Sequence, residues 1–147
     1  MSVRILLVDD HLAFREGMKD IIEGLDETFK VVGMAENGMV ALRSAVVYKP
    51  DVILMDIDMP VMDGIAATKA VLQPLPNTGV IGFSMSTERW KIKEMIAAGA
   101  KGYLVKNTDS EELIAAIKSV YEGKPFYCEE VKRIVEKINE QPNTPID

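Results

Sequence analysis

Six residues of this chain could carry out phosphate chemistry if the fold gathers them. Asp9 and Asp10 are adjacent, Asp56 and Asp58 are one residue apart, and Ser84 and Lys106 stand alone. They come directly after short apolar runs at residues 3–8, 51–55, 79–83 and 102–105. Carboxylates held together repel: two unit charges ~4 Å apart cost ~4 kcal/mol at an effective dielectric of 20. Such a cluster calls for a compensating cation. All-oxygen ligands favour a hard ion that keeps its waters, so Mg²⁺ is expected over zinc. Carboxylates, Mg²⁺, one ammonium and one hydroxyl suit phosphoryl transfer. The metal and ammonium neutralise the equatorial oxygens, the hydroxyl donates to one of them, and a carboxylate can be the nucleophile.

Each residue alone reads more plainly. An Asp-Asp pair after a strand is commonly a solvated helix start, Ser84 a turn residue and Lys106 a surface lysine. Tyr103, in the run Lys101-Gly102-Tyr103-Leu104-Val105-Lys106, alternates as half-buried strand packing would. The joint occurrence at four strand ends is what points to a site.

The elements that must position these residues follow from periodicity. Apolar runs at 3–8, 29–34, 51–55, 79–83 and 102–105 read as strands buried on both faces. Between them lie helical stripes: Phe14, Met18, Ile21, Ile22 and Leu25; Ile92, Met95, Ile96 and Gly99; Leu113, Ile117 and Val120. Asn37 and Asp63 are expected helix starts. The segment Thr108-Asp109-Ser110-Glu111 reads as a capping box, with Gly123 and Pro125 ending that last helix. Strand–helix alternation gives a parallel sheet with helices on both faces. Ligand sites in open sheets lie beyond the carboxyl ends of the strands, where the Asp, Ser and Lys residues stand. Past Gly123, Val131, Ile134, Val135 and Ile138 predict an extra amphipathic helix, packed on its own domain or leading to another. Residues 141–147 read as a linker or tail.

Composition narrows the function classes. The chain has 147 residues, 48% of them hydrophobic and 27% charged, enough for one domain with a core. Lys plus Arg is 17 and Asp plus Glu is 23, a formal charge of −6. So acidic a domain is a poor unaided ligand for a nucleic-acid backbone. The longest apolar run, residues 113–117, is far short of a membrane span, and no signal peptide is evident. Cys128 is the only cysteine and His11 the only histidine, which excludes an internal disulfide and a zinc site made of these two types. A cytoplasmic location is expected.

These residues resemble the receiver domain of bacterial two-component response regulators. The likeness rests on Asp9-Asp10, on Asp56-Ile57-Asp58-Met59-Pro60-Val61-Met62-Asp63-Gly64, on Ser84, and on Tyr103 with Lys106. It covers roughly residues 2–123. It implies a flavodoxin-like, three-layer (βα)5 fold with strand order 2-1-3-4-5, plus the extra C-terminal helix. By position, Asp56 resembles the phospho-acceptor. The resemblance implies Mg²⁺ held by the Asp10 and Asp56 carboxylates, the Asp58 backbone carbonyl and, through water, Asp9. It implies that Lys106 pairs with the phosphoryl group and Ser84 hydrogen-bonds it, while Tyr103 changes rotamer as Ser84 moves. Pro60 and Gly64 resemble loop-shaping positions. The run from Gly99 to Lys106 and the segment Glu122-Gly123-Lys124 most resemble receivers attached to LuxR-type helix-turn-helix domains.

The resemblance therefore implies a phosphorylation-activated switch rather than a multiple-turnover enzyme. Its partners would be a sensor histidine kinase, a second copy on phosphorylation, and DNA only through an output domain. Residues 1–123 are expected to form the receiver and 124–147 a helix and linker, with the output domain absent from this chain. The helix from about Thr87, strand five and the last helix would be the readout surface. Trp90 there either contacts a partner or covers the edge of its own helix. Two departures stand out. Asn107 follows Lys106 where much of the family has a cis proline; a cis bond before a non-proline residue costs ~2.5–4 kcal/mol, so the geometry of that bond is open. Ser84 replaces the commoner threonine.

Other readings compete. Asp56-Ile57-Asp58 has the Asp-x-Asp spacing of haloacid-dehalogenase-type phosphatases, but there that motif precedes the acidic pair. A flavin-binding module on this fold would need a hydroxyl- and glycine-rich loop after strand one, where Asp9-Asp10-His11 stands. A docking receiver that works without phosphorylation would not need so complete an acidic set.

Overall fold

The computed structural model describes residues 2–140. Its elements run β1 (Val3–Val8), α1 (Leu12–Leu25), β2 (Phe29–Ala35), α2 (Gly38–Tyr48), β3 (Val52–Met55), α3 (Gly64–Leu72), β4 (Gly79–Ser84), α4 (Arg89–Ala97), β5 (Gly102–Val105), α5 (Ser110–Tyr121), β6 (Phe126–Tyr127) and α6 (Glu129–Glu140). The strands form one parallel sheet in the order β2-β1-β3-β4-β5-β6. The direction of strand addition reverses after β2. With right-handed crossovers, that reversal puts α1 on one face and α2, α3 and α4 on the other. Every residue of β3, β4 and β5 is buried, as expected for strands covered on both sides.

Local chemistry sets most boundaries. The Asn37 side chain accepts a hydrogen bond from Val40 N and starts α2, and Asp63 does the same for Ala66 N at α3. At α5 the cap falls one residue later than expected. Asp109, not Thr108, accepts from Glu112 N at 2.8 Å, while the Thr108 hydroxyl bonds the Glu112 carboxylate. Helix α1 keeps its predicted stripe except at Ile21, which is 51% exposed beside the fully buried Ile22. Two adjacent helical residues are about 100° apart, and only one can face the sheet.

Three further differences bear on the site. Ser84 is the last residue of β4 rather than the first after it. Helix α4 starts at Arg89, two residues later than Thr87. No cis peptide bond occurs among the described residues, so Lys106–Asn107 is trans.

Strand β6 was not legible in advance, because two residues carry no periodicity. It pairs Phe126 with Gly102 and Tyr127 with Tyr103. Helix α6 packs against α4, β5 and β6, with Val131 fully buried. The predicted tail at 141–147 lies outside the described residues. No helix among the described residues is long and apolar enough to cross a membrane.

Candidate functional site

The register of the central strands builds the site. Val8 of β1 is paired with Met55 of β3, so the next residues, Asp9 and Asp56, emerge side by side. Asp56 N donates to Val8 O at 2.9 Å and Asp9 N to Ala35 O at 3.0 Å, which fixes both turns. Ser84 of β4 is paired with Val105 of β5, and Lys106 N donates to Ser84 O at 2.9 Å. Lys106 therefore starts one strand beyond β4 and reaches back across it. Its Nζ bonds the Asp9 carboxylate and lies 3.4 Å from Asp56 Oδ2. It also sits 4.6 Å from the centroid of the Phe14 ring, whose other neighbour is Phe83 at 5.9 Å.

Asp9 and Asp56 are only 3% and 5% exposed, so each would be costly to ionise alone. They resolve that cost differently. Burial pushes the Asp9 carboxyl up, but the hydrogen bonds from Lys106 and from the His11 backbone outweigh it and hold Asp9 below the usual carboxylate range. Burial pushes Asp56 up to about 6; Lys106 opposes this only partly, and the Asp9 charge adds to it. Asp56 Oδ1 accepts from its neighbour Ile57 N at 2.9 Å, leaving Oδ2 towards Lys106. Proton affinity is thus concentrated on Asp56.

Asp10 stands at the rim, exposed, 3.2 Å from the His11 ring. Ligand atoms of Asp9, Asp10 and His11 lie within 4.8 Å of one another. Asp56 is outside that group; its Oδ2 pairs with Lys106. Asp9, Asp10 and Asp56 carry three negative charges when ionised and Lys106 one positive, a balance of −2. Oxygen donors with that balance fit a hard divalent cation such as Mg²⁺. The resemblance did not give His11 a part here; its only signal was being next to Asp10 in sequence.

Asp58 does not turn into this cluster. Its Oδ2 bonds Lys91 Nζ at 2.9 Å, tying the β3–α3 loop to α4. Ser84 is buried, and its Oγ accepts from Ser86 N at 3.1 Å. Tyr103 is fully buried, and its hydroxyl donates to Ser86 O at 2.8 Å. Burial pushes its phenol up to about 12, although Ser84 lies within hydrogen-bonding reach, so it stays protonated. Tyr103 can lie inward because its register partner is Gly82. A Cβ on Gly82 would stand 2.8 Å from the Tyr103 ring. Gly64 serves the loop after β3 in the same way, since a Cβ there would come within 2.0 Å of Asp56 O. Between them, Met62 N donates to Pro60 O across Val61, whose φ of 68° is strained for a β-branched residue. Trp90 is 39% exposed and donates to Glu88 Oε2 at 3.0 Å, within its own helix start.

The receiver-domain family model for response regulators matches residues 5–118. The chain belongs to the response regulator receiver family. Among curated relatives, the transcriptional regulatory protein DegU of Brevibacillus brevis is 38% identical over 125 residues, covering 85% of this chain and 52% of that protein. The oxygen regulatory protein NreC of Staphylococcus epidermidis is 31% identical over 142 residues, covering 96% of this chain and 64% of NreC. The receiver thus spans about half to two thirds of such relatives' length. A solved two-component response regulator of the LuxR family from an Aurantimonas species superposes with a TM-score of 0.88 at 29% identity, covering 95% of this receiver and 99% of that chain. The fold is the flavodoxin-like one of receivers, in the strand order expected, with β6 and α6 added.

Proposed function

We propose that this receiver is a phosphorylation-activated switch that accepts a phosphoryl group on Asp56 from a phosphohistidine of a sensor kinase. The supporting observation is the pairing of buried Asp56 with Lys106 at 3.4 Å, beside Asp9, at the ends of three strands. An Asp56 oxygen attacks phosphorus; the P–O bond forms as the P–N bond to the kinase imidazole breaks, and the imidazole keeps the electron pair. Lys106 neutralises equatorial charge, and the Ser84 hydroxyl donates to another oxygen. Asp10 and Asp56 through carboxylates, Asp58 through its backbone carbonyl and Asp9 through water would hold Mg²⁺. When bound, that ion would supply positive charge to offset the charge that develops during transfer.

Phosphorylation adds negative charge where the balance is already negative. Lys106 and Ser84 are drawn towards it, and the loop after β4 follows. The resemblance implies a rotamer change of Tyr103, but the ring is already inward and bonded to Ser86 of that loop, so the proposed change is that it is locked in as the loop closes over it. A gap of a few kcal/mol between the two states suffices for such a charge to swap their populations. Residues 1–123 form the switch, and residues 124–147 carry its state towards an output domain. By analogy with relatives named as transcriptional regulators, that output acts on transcription, through DNA binding; as the resemblance to receivers implies, the phosphorylated protein forms homodimers in the cytoplasm. Asp58 supports the switch over an Asp-x-Asp phosphatase, because its carboxylate is engaged by Lys91.

The test is labelling by acetyl phosphate with Mg²⁺, read by intact mass. One phosphoryl group is expected on the parent and none on Asp56→Asn. Equal labelling of the two would overturn the assignment.

A further inference from the structure

Asp58 sets a problem for this chemistry. It adds a carboxylate two residues from the acceptor, where Asp9, Asp10, Asp56 and Lys106 already sum to −2. An unpaired Asp58 would make the sum −3, or −1 once Mg²⁺ is held there, beside an acceptor that an anionic phosphoryl donor must reach. The structure meets that problem with one residue on another helix. Lys91, in the first turn of α4, bonds Asp58 Oδ2 at 2.9 Å across 33 residues of sequence. Its side chain is 14% exposed, while that of Asp58 is 63% exposed. The ammonium is further held by Glu88 at 3.5 Å and lies 5.7 Å from the Trp90 ring. Glu88 is in turn bonded by Trp90 Nε1.

We propose that Lys91 is a positioning residue for phosphoryl arrival: it draws the Asp58 carboxylate towards α4, neutralises it, and keeps that charge off the donor's approach. The inference rests on Asp56 as acceptor. Lys91 makes and breaks no covalent bond. With acetyl phosphate, Asp56 forms the new P–O bond and acetate leaves with the electrons of the old one. Because the effect is long-range repulsion of an anion, it acts on the second-order labelling rate and weakens with salt.

The experiment measures that rate by intact mass, with Mg²⁺ and acetyl phosphate, at low and high ionic strength. Lys91→Met is expected to slow labelling ~3- to 10-fold at low salt, and the deficit shrinks as the Debye length falls to ~3 Å near 1 M salt. Lys91→Arg keeps the charge and most of the rate. Adding Asp58→Asn to Lys91→Met removes the unpaired carboxylate and recovers most of the loss. A structural anchor for α4 alone would show no such recovery and no salt dependence. If Lys91→Met does not fold, Lys91→Gln takes its place. Parent-like labelling of the Lys91 variant, or a double variant as slow as the single, overturns the proposal while leaving the acceptor in place. An unlabelled parent removes the acceptor reading and this inference with it.

Discussion

The floor and the rim of the site hold similar charges under different physics. On the floor, Asp9 and Asp56 share Lys106 while almost fully buried, and their proton affinities move in opposite directions. At the rim, Asp10 with His11 and Asp58 with Lys91 pair beside solvent. Burial makes a floor carboxylate depend on its partners: Asp9, bonded by Lys106 and the His11 backbone, ionises readily, whereas Asp56 does so only at a cost. At the rim, solvent screens each pair, which can steer a charged ligand but hardly stabilise the fold. Asp56, the proposed acceptor, lies on the floor, where its charge state bears on the stability of the fold.

Breaking the floor should give the largest effect. Lys106→Met leaves two buried carboxylates without their cation and should destabilise the metal-free protein by ~3–5 kcal/mol, measured by urea unfolding in chelator. A loss under ~1 kcal/mol would mean that water already compensates the pair.

Asp56→Asn should act in the opposite sense. A folded value of about 6 against 3.8 makes ionised Asp56 cost ~3 kcal/mol at neutral pH. The sign follows from the raised value. The contribution of Asp56 is fully present below pH 3.8 and is lost as pH rises through about 6. The variant should therefore be more stable than the parent at pH 7.5 in chelator, with the gain vanishing towards pH 4. A stability difference that does not change across that window would contradict the floor's electrostatics.

At the rim the expected effects are smaller. Val61→Gly relieves the strained φ at a residue 80% exposed and should raise stability by ~1 kcal/mol net of glycine's entropy, seen as a higher Tm. Asp10→Asn should leave metal-free stability within ~0.5 kcal/mol, while weakening the stabilisation that added Mg²⁺ gives the parent. A large loss of metal-free stability there would erase the distinction between floor and rim.

Much of this arrangement was legible in the chain. Apolar runs located five strands to within one residue at each end, and the polar residues at their ends include Asp9, Asp56 and Lys106, which the structure brings together. Asn37 and Asp63 announced their helices because capping is a local hydrogen bond over three residues. The shifted cap at Asp109 shows the limit of that signal, since Thr108 and Asp109 both carry suitable oxygens and only packing chooses between them.

What sequence by itself determined here is whatever depends on near neighbours: strand and helix periods, the excess of acid, and the presence of carboxylates, a hydroxyl and a lysine at strand ends. Tertiary structure decided which of them meet. It put Asp56 rather than Asp10 on the floor beside Lys106, turned Asp58 to Lys91, laid Tyr103 over Gly82, and added β6 to the sheet edge. Those outcomes depend on register and on side chains meeting across tens of residues, and the burial of the polar groups, which the apolar periodicity does not give, sets the energy of each meeting.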